Sequence, residues 1–224
     1  KMAQLSLKDL GAIPGKPFCL HASSRVLSQW RLDTTLDPHT ATVATGNHTF
    51  DDERFLRLRH EVKLLDTWVG FEKGGEYQPF KSSTPLMLQW KSDGAELRAL
   101  NVAAYGSDAQ VMQSSKYWKR FGLCYTHVSS VGFSPRVLPS NVIFSSESIS
   151  IFLNDCDDRD AKQDYLALLG FMTSTPAQEL VSVFGRYRKI ENRAVSGMPI
   201  SFKRLDQFAA QFAVNRQCYI LRHF

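Results

Sequence analysis

A chain of 224 residues with 43% hydrophobic and 22% charged side chains is long enough to bury a core of its own and too apolar to be disordered over most of its length. Its net charge of +5 and pI near 9.0 lean towards polyanionic partners without requiring one. Cys19, Cys124, Cys156 and Cys218 form neither a C-x-x-C pair nor a zinc-spaced cluster, no apolar run approaches the roughly 18 to 20 residues of a membrane span, and no signal peptide opens the chain. These features predict a cytoplasmic protein with reduced thiols.

Lys1 precedes Met2, which reads as a fragment of a longer polypeptide. The first 23 residues carry Gly11, Pro14, Gly15 and Pro17 and read as irregular. Behind Ser23 or Ser24 as a cap, Val26, Leu27 and Trp30 fall at helical spacing and predict a short amphipathic helix. Asp33 to His39 is turn-like, Ala41 to Val43 is a strand candidate, and a polar loop runs from Thr45 to Asp52. Between Arg54 and His60, positive and apolar residues alternate, which puts Arg57 and Arg59 on one side of a strand; such a face suits phosphate or plain solvent. Gly74-Gly75 predicts a tight turn or a close backbone approach to a ligand, with Lys73 beside it as a phosphate contact. Pro85 to Trp90 reads as a strand, Ser92-Asp93-Gly94 as a turn, and Leu97 to Ala104 as a strand or a short helix.

The stretch from Tyr117 to Phe152 concentrates aromatics, hydroxyls and positive charge. Between Ala109 and Ser146 there is no acidic residue, while Lys116, Lys119, Arg120 and Arg136 are interleaved with Tyr117, Trp118, Phe121 and Tyr125. Lysine and arginine neutralise phosphates and release counterions, hydroxyls donate to phosphate oxygens, and a guanidinium matches a guanine edge. The same aromatics also suit the core of consecutive strands.

Further on, Asn154 to Asp164 is acidic and leads into Leu166, Leu168, Leu169 and Met172 at helical period, the acids stabilising the helix N-terminus. A calcium loop is excluded there, because Asp160 and Leu166 occupy the positions that need glycine and glutamate. Thr175-Pro176-Ala177-Gln178 starts another helix with Thr175 as cap and Gln178 closing a capping box. A second basic segment holds Arg186, Arg188, Lys189, Arg193, Lys203 and Arg204, and Leu205, Phe208, Ala209, Phe212 and Ala213 give a last helix with one apolar face. Short strands first and helices later point to an α+β fold of mixed or antiparallel strands, with residues 1–200 as one domain and residues 201–224 beginning a helical region.

No H-E-x-x-H, Walker A or G-x-S-x-G motif is present, and no two of the nine prolines are adjacent, which excludes the Pro-Pro-aromatic motif that grips a flipped adenine. One enzymatic pattern survives: Asp51 or Asp52 followed by Glu61 and Lys63 has the order of a Mg²⁺-dependent nuclease. A protein-interaction module docking through Phe208 and Phe212 is the other alternative.

Five blocks carry a resemblance: VATGNHTFDDERFLRLRHEV from Val43, FEKGGEYQPF from Phe71, LQWKSDG from Leu88, YWKRFGLCYTHVSSVGFSPRVLPSNVIF from Tyr117 and LLGFMTS from Leu168. In this order they resemble the target-recognition part of N6-adenine DNA methyltransferases of the type IIG and BREX (PglX-like) kind. The resemblance implies a domain that binds double-stranded DNA and has no catalytic residues or cofactor of its own. S-adenosylmethionine would bind an upstream methyltransferase domain of the same polypeptide, and other subunits of the defence system are further partners it implies. With the reading of the residues, it nominates Thr45, Asn47, Arg57, Lys73, Lys119, Arg120, Ser129, Ser130, Ser134 and Arg136 as DNA contacts.

Overall fold

The computed structural model describes residues 7–17, 19, 21–31, 34–63, 67–81, 83–154, 161–185, 189–201 and 203. The fold is α+β, with two mixed sheets of short strands. The first sheet has five strands, β1 (Ala41–Ala44), β4 (Phe80–Lys81), β6 (Gly122–Thr126), β7 (Arg136–Leu138) and β9 (Ser148–Leu153), in the order β1-β9-β6-β7-β4. The second has four, β2 (Leu56–Leu58), β3 (Trp68–Glu72), β5 (Leu86–Gln89) and β8 (Val142–Phe144), in the order β2-β5-β3-β8. Each sheet is antiparallel except for one parallel pair, β4 with β7 and β3 with β8.

Side-chain alternation shows how the sheets are stacked. In β6 and β9, Leu123, Tyr125, Ile149, Ile151 and Leu153 face a large core shared with α6 (Ala161–Thr173), α7 (Thr175–Ser182) and α8 (Asn192–Ser196). Cys124, Leu138 and Phe152, on the opposite face, meet Val142 and Phe144 of β8. On the far side of the second sheet, Phe71, Leu88 and Ile143 pack with Leu97 of α5 (Ala95–Tyr105). Both sheets are therefore covered on two faces, and β6, β7, β8 and β9 are buried throughout. That explains why these strands read as near-continuous apolar runs.

Several expectations hold at the level of elements. The helix behind Ser23 forms as α2 (Ser24–Leu27), following α1 (Leu7–Ala12), and continues as a 3-10 turn over Ser28–Arg31; the Ser23 hydroxyl accepts from Val26 N at 3.3 Å. Of the two readings of Leu97 to Ala104, the helix forms, opening at Gly94 and closing at Gly106, both in the left-handed region. The predicted strand from Arg54 to His60 breaks into α4 (Asp52–Phe55), β2 and a 3-10 turn, because Asp51 caps a helical turn and Glu61 accepts from Leu58 N. Among the described residues of the turn-like segment before β1, Leu36–His39 forms α3. The start of α7 lies one residue earlier than the motif predicts, with Ser174 as the cap residue. Gln178 is drawn instead to Phe133, donating to its carbonyl at 2.7 Å and accepting from its N–H at 3.3 Å. The aspartates at 155, 157, 158 and 160, the arginines at 186, 188 and 204 and the apolar face from position 205 lie outside the described residues.

Candidate nucleic-acid interface

Three loops that are distant in sequence run side by side. Asn47 N–H donates to Phe144 O, Ser146 N–H to Asn47 O, and Ser145 N–H to Glu72 O, all at 2.9 Å. Glycine permits this approach: a Cβ on Gly46 would lie 2.0 Å from Phe144 O, and one on Gly74, whose φ is +91°, would lie 2.9 Å from Glu147 O. The Gly-Asn loop and the Lys-Gly-Gly turn, two of the blocks singled out in the sequence, are thus brought together at the end of the third.

The loop after α5 is tied to the same place. His48 N–H donates to Gln110 O, Asn47 Nδ2 to Val111 O at 2.7 Å, and the Ser114 hydroxyl to Thr45 O at 2.7 Å. From there the chain presents Lys116, Lys119 and Arg120, all exposed. Tyr117 stacks on Phe152 with centroids 4.7 Å apart and planes 10° from parallel. Lys116 Nζ stands 4.9 Å and Arg120 Cζ 5.6 Å from the Tyr117 centroid. The stack holds two cations at the surface without neutralising them, which leaves them able to meet an anion. Lys116, absent from the nominated contacts, belongs to this group; the acid-free window was its signal.

Four of the nominated contacts have side chains that are buried or already paired within the fold. Arg136 is 1% exposed; its guanidinium donates to Glu72 Oε1 at 2.8 Å and to Thr126 Oγ1 at 3.0 Å, joining β7 of one sheet to β3 of the other. A group so placed presents no edge to a base. Neighbouring Cys124 is an inert thiol, pushed up to about 12 by burial and by the Glu72 charge. Ser134 and Asn47 are fully buried as well. Lys73 is half-buried and pairs with Asp52, with Glu147 a further 4.0 Å contact, so its charge is already met.

The remaining nominated residues stay within reach of solvent at separate places. Arg57 is exposed and donates to Glu53 O and Leu56 O, both at 2.6 Å. Ser129 folds its own loop by accepting from Val131 and Gly132 N–H, with exposed Ser130 between them. Thr45 is half-buried, and its hydroxyl accepts from Asn192 Nδ2 at 2.7 Å.

Beside Lys73 lies a cleft of about 420 Å³ lined by residues 47–53, Lys73 and residues 145–147. Burial alone would raise the Asp52 carboxyl, but hydrogen bonds from Lys73 and Thr49 and the Lys73 charge outweigh it and hold it below the ordinary carboxylate value. A lowered folded-state value means stability that is present above the unfolded pKa and lost as pH falls through the folded one. Asp52→Asn is therefore expected to lower the unfolding free energy at neutral pH by under about 1 kcal/mol, because the pair is partly solvated. The difference from wild type should vanish at acid pH; urea melts across pH 2 to 7 check this.

Two carboxylates of the nuclease alternative are hydrogen-bonded within the fold. Asp52 is engaged by Lys73 and Thr49, and Glu61 turns back to its own backbone. Among the described residues no group of three or more His, Cys, Asp and Glu side chains is arranged to hold a metal ion. No helix among them is long and apolar enough to cross a membrane.

No protein-family model matches the chain. It is 23% identical over 210 residues to the adenine-specific methyltransferase PglX of Lacticaseibacillus casei (strain Zhang), covering 87% of this chain and 17% of that protein. It is 24% identical over 159 residues to the adenine-specific methyltransferase BrxX of Escherichia coli O9:H4 (strain HS), covering 67% of this chain and 12% of that protein. The chain is thus distantly similar to adenine-specific methyltransferases along most of its own length, while spanning less than a fifth of theirs.

Proposed function

We propose that this chain is the DNA target-recognition part of an S-adenosylmethionine-dependent N6-adenine methyltransferase of a bacterial defence system. The observation that carries the reading is the similarity to PglX and BrxX over a segment that has no catalytic motif of its own. Catalysis, with its S-adenosylmethionine, then belongs to another part of the same polypeptide, and double-stranded DNA is the partner of this part. The surface supports that role. Lys116 and Arg120, displayed on the Tyr117–Phe152 stack, and exposed Lys119 supply phosphate contacts. Arg57, Ser129, Ser130 and Thr45 supply further positive charge and hydrogen-bonding groups on loops and an edge strand. Asn47, Ser134 and Arg136 act from inside, by shaping those loops.

Replacing Lys116, Lys119 and Arg120 together by Ala tests this. Three lost phosphate contacts should reduce the slope of log affinity against log salt by about 3 in magnitude. Fluorescence anisotropy of a labelled duplex from 50 to 300 mM salt measures it. An unchanged slope would remove DNA from this surface.

A further inference from the structure

The cleft beside Lys73 is acidic although the chain as a whole is basic. Four carboxylates, from Asp51, Asp52, Glu53 and Glu147, line it against the single ammonium of Lys73, which pairs with Asp52. Phosphate is repelled from such a place. Asn47, fully buried, also lines it; its Nδ2 is committed to Val111 O, and its Oδ1 is an acceptor with no partner among the described residues. Unmet acceptors call for a ligand that brings donors.

The rim adds flat aromatic surface. Phe50 is 47% exposed and held at φ +60°, and its ring lies 5.6 Å from that of His48 and 5.1 Å from that of Tyr105, itself 66% exposed. A non-glycine residue in that backbone region is uncommon, and here it coincides with an aromatic pair left in water. Carboxylates beside aromatic faces are the surroundings a guanidinium selects, since it is always charged, carries five N–H donors and stacks on rings.

We infer that this cleft is a docking site for an arginine side chain presented by a protein partner, with Phe50 and Tyr105 under the guanidinium plane and Asp51, Glu53, Glu147 and Asn47 Oδ1 receiving its N–H groups. The site shares no lining residue with the basic patch assigned to DNA and does not depend on that assignment.

The test titrates this chain with N-acetyl-arginine methylamide, following backbone amide shifts of residues 47–53. The neutral citrulline analogue, of the same shape, and cytidine, a flat amine-bearing ring, run in parallel. The expected result is saturable shifts with the arginine compound and a response at least tenfold weaker with citrulline. Two variants should each weaken arginine binding tenfold or more. Asp51→Asn/Glu53→Gln/Glu147→Gln keeps a competent helix cap at position 51. Phe50→Gly removes the ring and suits the left-handed backbone. Cytidine shifting these amides while the arginine compound does not would give the cleft to a nucleobase and overturn the inference. So would the absence of any binding, or arginine binding indifferent to both variants.

Discussion

Arg136→Ala is expected to destabilise the fold by about 3 to 5 kcal/mol, the range for removing one partner of a buried ion pair. Glu72 is 1% exposed, like Arg136, and without the guanidinium its remaining partners among the described residues are Gly74 N–H at 3.3 Å and the Thr84 hydroxyl at 3.4 Å. Two weak neutral donors do not replace a 2.8 Å charged contact. For a chain of this size such a loss corresponds to a fall in melting temperature of roughly 6 to 20 °C. The double variant Arg136→Met/Glu72→Leu removes both charges from the boundary between the sheets and should recover part of the loss. Urea melts of the three proteins check this. A stable Arg136→Ala variant that has lost DNA affinity would return Arg136 to the surface role its sequence context suggests.

Gly46→Ala is the second large effect. Its Cβ would stand 2.0 Å from a backbone carbonyl and 2.5 Å from the Cδ2 of Phe144, whose ring is fully buried. Asn47 N–H is bonded to that same carbonyl at 2.9 Å, so the loop cannot retreat without breaking the contact that brings the three blocks together. Overpacking commonly costs about 1 to 3 kcal/mol, and a clash against backbone should reach or exceed the top of that range. Gly11→Ala is the control: it lies in α1 with nothing within 4 Å, and should be neutral or stabilising by about 0.5 to 1 kcal/mol. A Gly46→Ala protein within about 1 kcal/mol of wild type in the same melts would show that the close approach is dispensable.

The parts of this architecture governed by local rules were legible in the sequence. Ser23 as a cap, the turn at Gly94 and the glycine turn after β3 each follow from backbone chemistry within a few residues. The α+β class followed from the order of the elements. What sequence could not supply is which polar residues face inward. Arg136 sits among hydroxyls and aromatics in a stretch free of acids, and its partner Glu72 is 64 residues away. Only the stacking of two sheets makes Arg136 an interior residue. Lys73 was similarly drawn to Asp52, across 21 residues. The cleft was hidden for the same reason, since its lining comes from loops separated by as much as a hundred positions and its exposed rings, Phe50 and Tyr105, belong to different elements.

Target recognition requires that this chain read DNA sequence. The most direct measurement is selection by the purified chain from duplexes with a randomised interior, followed by sequencing of the retained pool. Enrichment of one short motif containing adenine is the predicted result. A retained pool indistinguishable from the input would contradict target recognition by this chain.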